Sequence, residues 1–173
     1  DYDYTNDPEY IAIEAAKEEG IISVAAAGNS NSSNYEYPAA FDNTISISAV
    51  DDNLDKAEFS SYGDRVTFAA PGVNIKSING IKSGTSMATP HAVSAVAIVK
   101  SINKNISLED TIEVLKNLAI DIGPKGKDIY YGYGFINFYN SEICEDSSTQ
   151  SCDVGGVFKK IKPNSLEVIN PKL

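Results

Sequence analysis

The sequence predicts an α/β fold: a mostly parallel sheet flanked by helices. Three observations carry this. Helical patterns alternate with short apolar strands along the chain, which argues for a mostly parallel sheet with helices outside. The apolar runs end in turn chemistry at Gly28-Asn29, Asp51-Asp52-Asn53 and Pro71-Gly72. Residues 92–99 are apolar on nearly every helical face, which is how a buried central helix reads.

The elements follow in order. Residues 1–6 are polar and read as a ragged end. Asp7 then Pro8 gives an N-cap with proline at the first helical position. That helix runs to about Glu19, with Glu9 suiting its positive end and Gly20 closing it. Residues 21–27 read as a buried strand that narrows to small side chains and leads to Asn29. Residues 44–50 alternate Ile45, Ile47 and Ala49 with polar partners, a second strand. A third strand is expected over 65–69, and residues 73–78 lead into a loop. Gly84 allows a tight turn and a close backbone approach before a helix from Ser86 to about Ile102, with Pro90 expected in its first turn. Ser107 and Asp110 have capping-box spacing, opening a helix to about Leu118. Residues 130–137 form a Gly/aromatic return segment. The chain divides into residues 1–140 and a tail, or the start of a further segment, over 141–173.

Two residues stand out for their chemistry. Ser86 lies at the mouth of the apolar helix, beside backbone N–H groups that have no intrahelical partner. It reads either as an ordinary N-cap serine or as a nucleophile with half an oxyanion hole attached. Asn29 reads either as a turn asparagine or as an amide that donates to a developing negative charge.

Together the stretches Ala25-Ala26-Ala27-Gly28-Asn29 and Gly84-Thr85-Ser86-Met87-Ala88-Thr89-Pro90-His91 resemble the subtilisin-like serine protease family. Tyr37-Pro38, Phe59-Ser60-Ser61-Tyr62-Gly63, Ala70-Pro71-Gly72 and Gly132-Tyr133-Gly134 extend the match, from about residue 11 to about 137. The resemblance implies a subtilisin-like sheet and a serine endopeptidase acting on protein or peptide substrates. It implies that Ser86 is the nucleophile, that Asn29 and the Ser86 N–H hold the oxyanion, and that Thr85 supports that hole. Met87 matches the family methionine beside the nucleophile, where it is open to oxidation. Ser94 stands where the family has a glycine, which implies slight repacking.

A triad also needs a general base and an acid to orient it. The one histidine, His91, lies five positions after Ser86 on the same helix, and such side chains do not converge. In the family it is structural, so a buried or half-buried, satisfied imidazole is expected. Family acid and base precede the serine, and no D-S/T-G or H-G-T-H stretch occurs before Asn29. The expected arrangement is an incomplete domain whose N-terminal half lies upstream or on a partner chain left by proteolytic nicking. Alone, this chain is expected to have little peptidase activity. The alternative is a pseudoprotease that binds or chaperones a partner through its cleft.

The resemblance also implies specificity elements. Ala26, Ala27 and Gly28 match one wall of the primary pocket, and Tyr37 and Pro38 the other. Glu36 falls at the pocket floor, where a carboxylate would select Lys or Arg before the cut. The other reading is a solvated Glu in a polar loop. Calcium is implied mainly through the missing N-terminal half. A weaker family cation site needs an Asp where this chain has Thr67, although Asp64 is close by.

The 173 residues carry 42% hydrophobic side chains and a net charge of −10. That balance suits one globular core and argues against nucleic acid and anionic membrane surfaces. No run reaches membrane-spanning length. Cys144 and Cys152, seven residues apart, read as a local disulfide or as two free thiols, and make a poor zinc site. A secreted or cell-surface protein is expected.

Overall fold

The computed structural model describes residues 3–137. The tail over 141–173, with Cys144 and Cys152, lies outside them. The elements are helix α1 (Pro8–Glu18), strands β1 (Ser23–Ala26), β2 (Thr44–Val50), β3 (Phe68–Pro71), β4 (Ile75–Ser77) and β5 (Gly80–Lys82), then helices α2 (Thr85–Ile102) and α3 (Leu108–Leu118). Strands β1, β2 and β3 form a parallel sheet in that order. Ala26 stands opposite Ile47, and Ile47 opposite Phe68.

The α/β class holds, but the simple alternation of strand and helix does not. Three strands run in succession, joined by crossovers over residues 27–43 and 51–67 that contain no helix. One long helix, α2, then packs against all three strands. Its buried residues are Thr85, Ala88, Ala92, Ala95, Val96 and Val99, and the alanines let it approach the sheet closely. With Ile45, Ile47, Ala49, Phe68 and Ala70 they form the core, which Val114, Leu115 and Leu118 of α3 complete. Each large aliphatic side chain buried there contributes about 1.5–3 kcal/mol.

Strand β2 is not the one-sided strand that its alternating pattern predicts. All seven of its residues are buried, the polar Thr44, Ser46 and Ser48 included. A parallel central strand is covered on both faces. Here Ser46 shares a small pocket with Ala39 and Ala40 of the crossover loop, and the Ser48 hydroxyl donates to the Phe68 carbonyl of β3 at 3.5 Å.

Two caps are as the sequence implies. Glu9 N–H donates to Asp7 Oδ1 at 2.8 Å, and Asp110 N–H donates to Ser107 Oγ at 3.0 Å. A Lys17–Glu109 ion pair of 2.8 Å ties α1 to α3. Strand β3 begins three residues later than expected, and residues 73–78 form half of an antiparallel hairpin with β5. The return segment adds Phe135 beside β3, bridging Ala69 and Ile120.

Helix α2 departs from expectation on its other side. Ser86, Pro90, Val93, Ser94, Ala97 and Ile98 are exposed, so its apolar character is satisfied on one face only among the described residues. Pro90 is the sixth helical residue, not one of the first turn. Having no N–H, it leaves the Ser86 carbonyl without its usual partner four residues on.

Candidate active site

The site forms where the end of β1 meets the start of α2. Gly84 is the N-cap, with φ of 155° and no side chain to cap the helix. The close approach expected at Gly84 is a demand on its partner instead. Gly84 N–H donates to the Gly72 carbonyl at 2.8 Å, and a Cβ on Gly72 would lie 2.9 Å from the Gly84 carbonyl oxygen and 2.5 Å from Ala49 Cβ.

Asn29 takes over the capping. Thr85 N–H donates to Asn29 Oδ1 at 2.8 Å, and the Thr85 hydroxyl donates to the same atom at 3.0 Å. A backbone N–H can only donate, so the amide oxygen must face Thr85. That orientation leaves both Nδ2 protons for another acceptor. Thr85 is fully buried, and its Oγ1 also accepts from Gly28 N–H at 3.3 Å. The threonine therefore joins the strand end to the helix start.

Ser86 follows directly and is exposed, as is Asn29. The Ser86 N–H finds no carbonyl among the described residues, as expected in a first helical turn. Ser86 lines an open groove of about 530 Å³ with Ala26, Thr89, Pro90, Val93 and Ser94. The arrangement offers a hydroxyl, a free backbone N–H and an oriented amide on one accessible surface. Such a set can attack a carbonyl carbon and receive the resulting oxyanion.

His91 is exposed rather than buried, and its Nδ1 lies 3.0 Å from the Met87 carbonyl oxygen. Met87 is half-buried beside Gly84.

The residues read as pocket walls fall on different surfaces. Ala26 faces the Ser86 groove. Ala27 and Glu36 line a separate pocket of only about 20 Å³, room for about one water. Tyr37 packs on Phe41 at 4.7 Å between ring centroids and on Tyr4 at 5.8 Å, and its bond to Pro38 is cis. Gly28 and Glu36 meet closely. A Cβ on Gly28, whose φ is 107°, would fall on the Glu36 carboxyl group. The Glu36 Oε1 accepts from the buried Ser61 hydroxyl at 2.9 Å. Ser61 received no role from the sequence, since its link to Glu36 exists only in the folded chain.

The weaker cation site does not fit these residues. Thr67 Oγ1 accepts from Ser46 N–H at 3.1 Å, and Asp64 Oδ2 accepts from the Tyr35 hydroxyl at 3.2 Å. No group of three or more His, Cys, Asp or Glu side chains able to hold a metal gathers among the described residues. No helix among the described residues is long and apolar enough to cross a membrane.

This surface, on a parallel sheet covered by one long helix, is that of a subtilase: residues 3–134 match the model of the Subtilase family, and the chain belongs to it. It is 39% identical over 131 residues to subtilisin BL of Lederbergia lenta, an alignment that covers 73% of this chain and 48% of that protein. It is 40% identical over 136 residues to the minor extracellular protease Epr of Bacillus subtilis (strain 168), covering 73% of this chain and 21% of Epr. Among solved structures, the psychrophilic subtilisin-like protease Apa1 from Pseudoalteromonas sp. AS-11 superposes with a TM-score of 0.67 at 19% identity, over 76% of this chain and 65% of Apa1. A lanthipeptide protease gives 0.64 at 20% identity, over 73% of this chain and 51% of its own. The chain thus spans about half or less of the length of these curated relatives.

Proposed function

We propose that this chain is the part of a serine endopeptidase that carries the nucleophile and the oxyanion-binding groups. The observation behind this is the Asn29 amide, held through its oxygen by Thr85, the residue before the exposed Ser86, so that its Nδ2 protons stay free to donate.

In this reading Ser86 Oγ bonds to the scissile carbonyl carbon while its proton passes to an imidazole. The carbonyl π electrons move onto oxygen, which accepts from Ser86 N–H and Asn29 Nδ2. Collapse expels the amine, which takes the proton back, and water then hydrolyses the acyl ester by the same route. The imidazole is not His91, which lies five positions along the same helix. The base and its acid belong to polypeptide beyond these 173 residues, on the same chain or on a partner. The exposed stripe of α2 suits cover by that polypeptide.

Glu36 is read as selecting Lys or Arg before the cut: its carboxylate lies against Gly28, next to Asn29, and a basic side chain would have to widen the one-water pocket that Glu36 lines. Calcium, where the whole protease binds it, is read as held mainly by the missing N-terminal half. Secretion is proposed by analogy with Epr, an extracellular protease, and display at the cell surface is the other reading. Residues 141–173 are read as a processing tail or the start of a further segment, beyond the family match.

The test is a serine-directed fluorophosphonate applied to the native preparation, read by intact mass. Labelling at Ser86, with the base-bearing polypeptide present, is the expected result. An unlabelled Ser86 in that assembled state would overturn the catalytic reading in favour of a pseudoprotease that uses the cleft for binding.

A further inference from the structure

We propose that Ser61 is a positioning residue for substrate selection: it aims the Glu36 carboxylate at the basic side chain before the cut. This rests on the reading of Glu36 given above.

Ser61 is 1% exposed and makes three bonds to the segments around the site. Its N–H donates to the Gly28 carbonyl at 2.9 Å. Its Oγ accepts from Ser30 N–H at 3.2 Å and stands 2.9 Å from Glu36 Oε1. The hydroxyl has one proton. Ser30 N–H is a donor, so that proton can go only to the carboxylate. The bond is charge-assisted and fixes one carboxylate oxygen. Oε2 has no hydrogen-bond partner among the described residues and is left for a cation. Residue 61 thus grips Gly28 through its backbone N–H, and Ser30 and Glu36 through its side chain, so that it holds the chain on either side of Asn29.

A carboxylate pinned through one oxygen meets an ammonium or guanidinium without first losing rotational freedom. Freed from Ser61, it would turn about its own side chain and lose that advantage. The loss would fall on basic substrates alone, because a neutral side chain makes no use of Oε2. A merely structural role would differ: if Ser61 served only to hold Ser30, and through it Asn29, then its removal would slow every substrate alike.

The experiment uses the assembled protease, this chain with the polypeptide that supplies the base. Matched peptide substrates carry Lys or Ala before the cut. Ser61→Ala is expected to lower kcat/KM on the Lys substrate roughly tenfold, mostly through KM, the ratio that a 1.4 kcal/mol difference sets. The Ala substrate should change by less than about twofold. In a Glu36→Gln background, Ser61→Ala should cost no further selectivity. Equal losses on both substrates, loss of all activity, or no change while Glu36→Gln abolishes the Lys preference would each overturn the role of Ser61. If Glu36→Gln keeps the Lys preference, or the unmodified enzyme has none, the reading of Glu36 fails and this inference fails with it.

Discussion

Thr85 holds Asn29 through two donors on one oxygen, the backbone N–H at 2.8 Å and the hydroxyl at 3.0 Å. The amide is oriented before any substrate arrives, which is what electrostatic stabilisation of an oxyanion requires. On the proposed role, Asn29→Ala in the assembled enzyme is expected to lower kcat by about 10²–10³ with little change in KM, the magnitude established for the oxyanion-hole asparagine of subtilisin. Thr85→Ala keeps the backbone bond to Asn29 but removes the hydroxyl bond and the acceptor of Gly28 N–H, and should cost about three- to tenfold in kcat. Steady-state kinetics on one peptide substrate check both. A Thr85→Ala enzyme equal to the unmodified one would show that the backbone bond alone orients the amide.

Gly28 has a positive φ of 107°, and a Cβ there would collide with the Glu36 carboxyl. Gly28→Ala should therefore destabilise the chain by about 1–3 kcal/mol. A shift of the urea midpoint to lower concentration, at unchanged slope, is the expected sign. An unshifted midpoint would mean that the Glu36 side chain swings aside at no cost.

These two relationships mark where sequence reasoning ran out. Asp7 and Ser107 were legible as caps because a cap is a local contact, made within three residues of chain. The limits of β2 were legible because Thr44 to Val50 is bounded by its own turn residues. The Glu36–Ser61 bond spans 25 residues and has no signature along the chain. The hairpin of β4 and β5 was missed although Asn79-Gly80 is ordinary hairpin chemistry. The helix α2 looked buried all round because pattern reports what a face can bury, not what lies against it in these residues.

Ser107→Ala should lower stability by about 0.5–2 kcal/mol, since Asp110 N–H loses its acceptor at the first turn of α3. Ser107→Asp keeps an acceptor and should restore most of the loss. Thermal unfolding followed by circular dichroism separates the two variants.

The Lys17–Glu109 pair sets a pH dependence whose sign can be stated. The hydrogen bond from Lys17 holds the Glu109 carboxyl below its usual range. Its contribution is complete above the ordinary carboxylate range and is lost as pH falls through the lowered value. The same bond raises Lys17, whose contribution is present below the ordinary lysine value and lost as pH rises through the raised one. Glu109 is 66% exposed, so solvent screening keeps the pair below about 1 kcal/mol. Glu109→Gln should lower stability slightly at pH 7 in low salt, with the difference shrinking in high salt. A cost that stays constant down to about pH 2 would exclude the carboxylate as its origin.

Strand β1 has one consequence of another kind. Among the described residues it pairs only with β2, so one row of its peptide groups faces outward. Ser23-Val24-Ala25-Ala26 carries none of the charges, prolines or bulges that keep exposed strand edges from recruiting neighbours. The edge is small-sided and ready to template another strand. Handled in isolation, the chain can satisfy that row by pairing with its own copies, so its tendency to clump should rise steeply with concentration. A complementary strand added in solution competes for the same row, and soluble yield becomes a direct report of whether that place in the sheet has been filled.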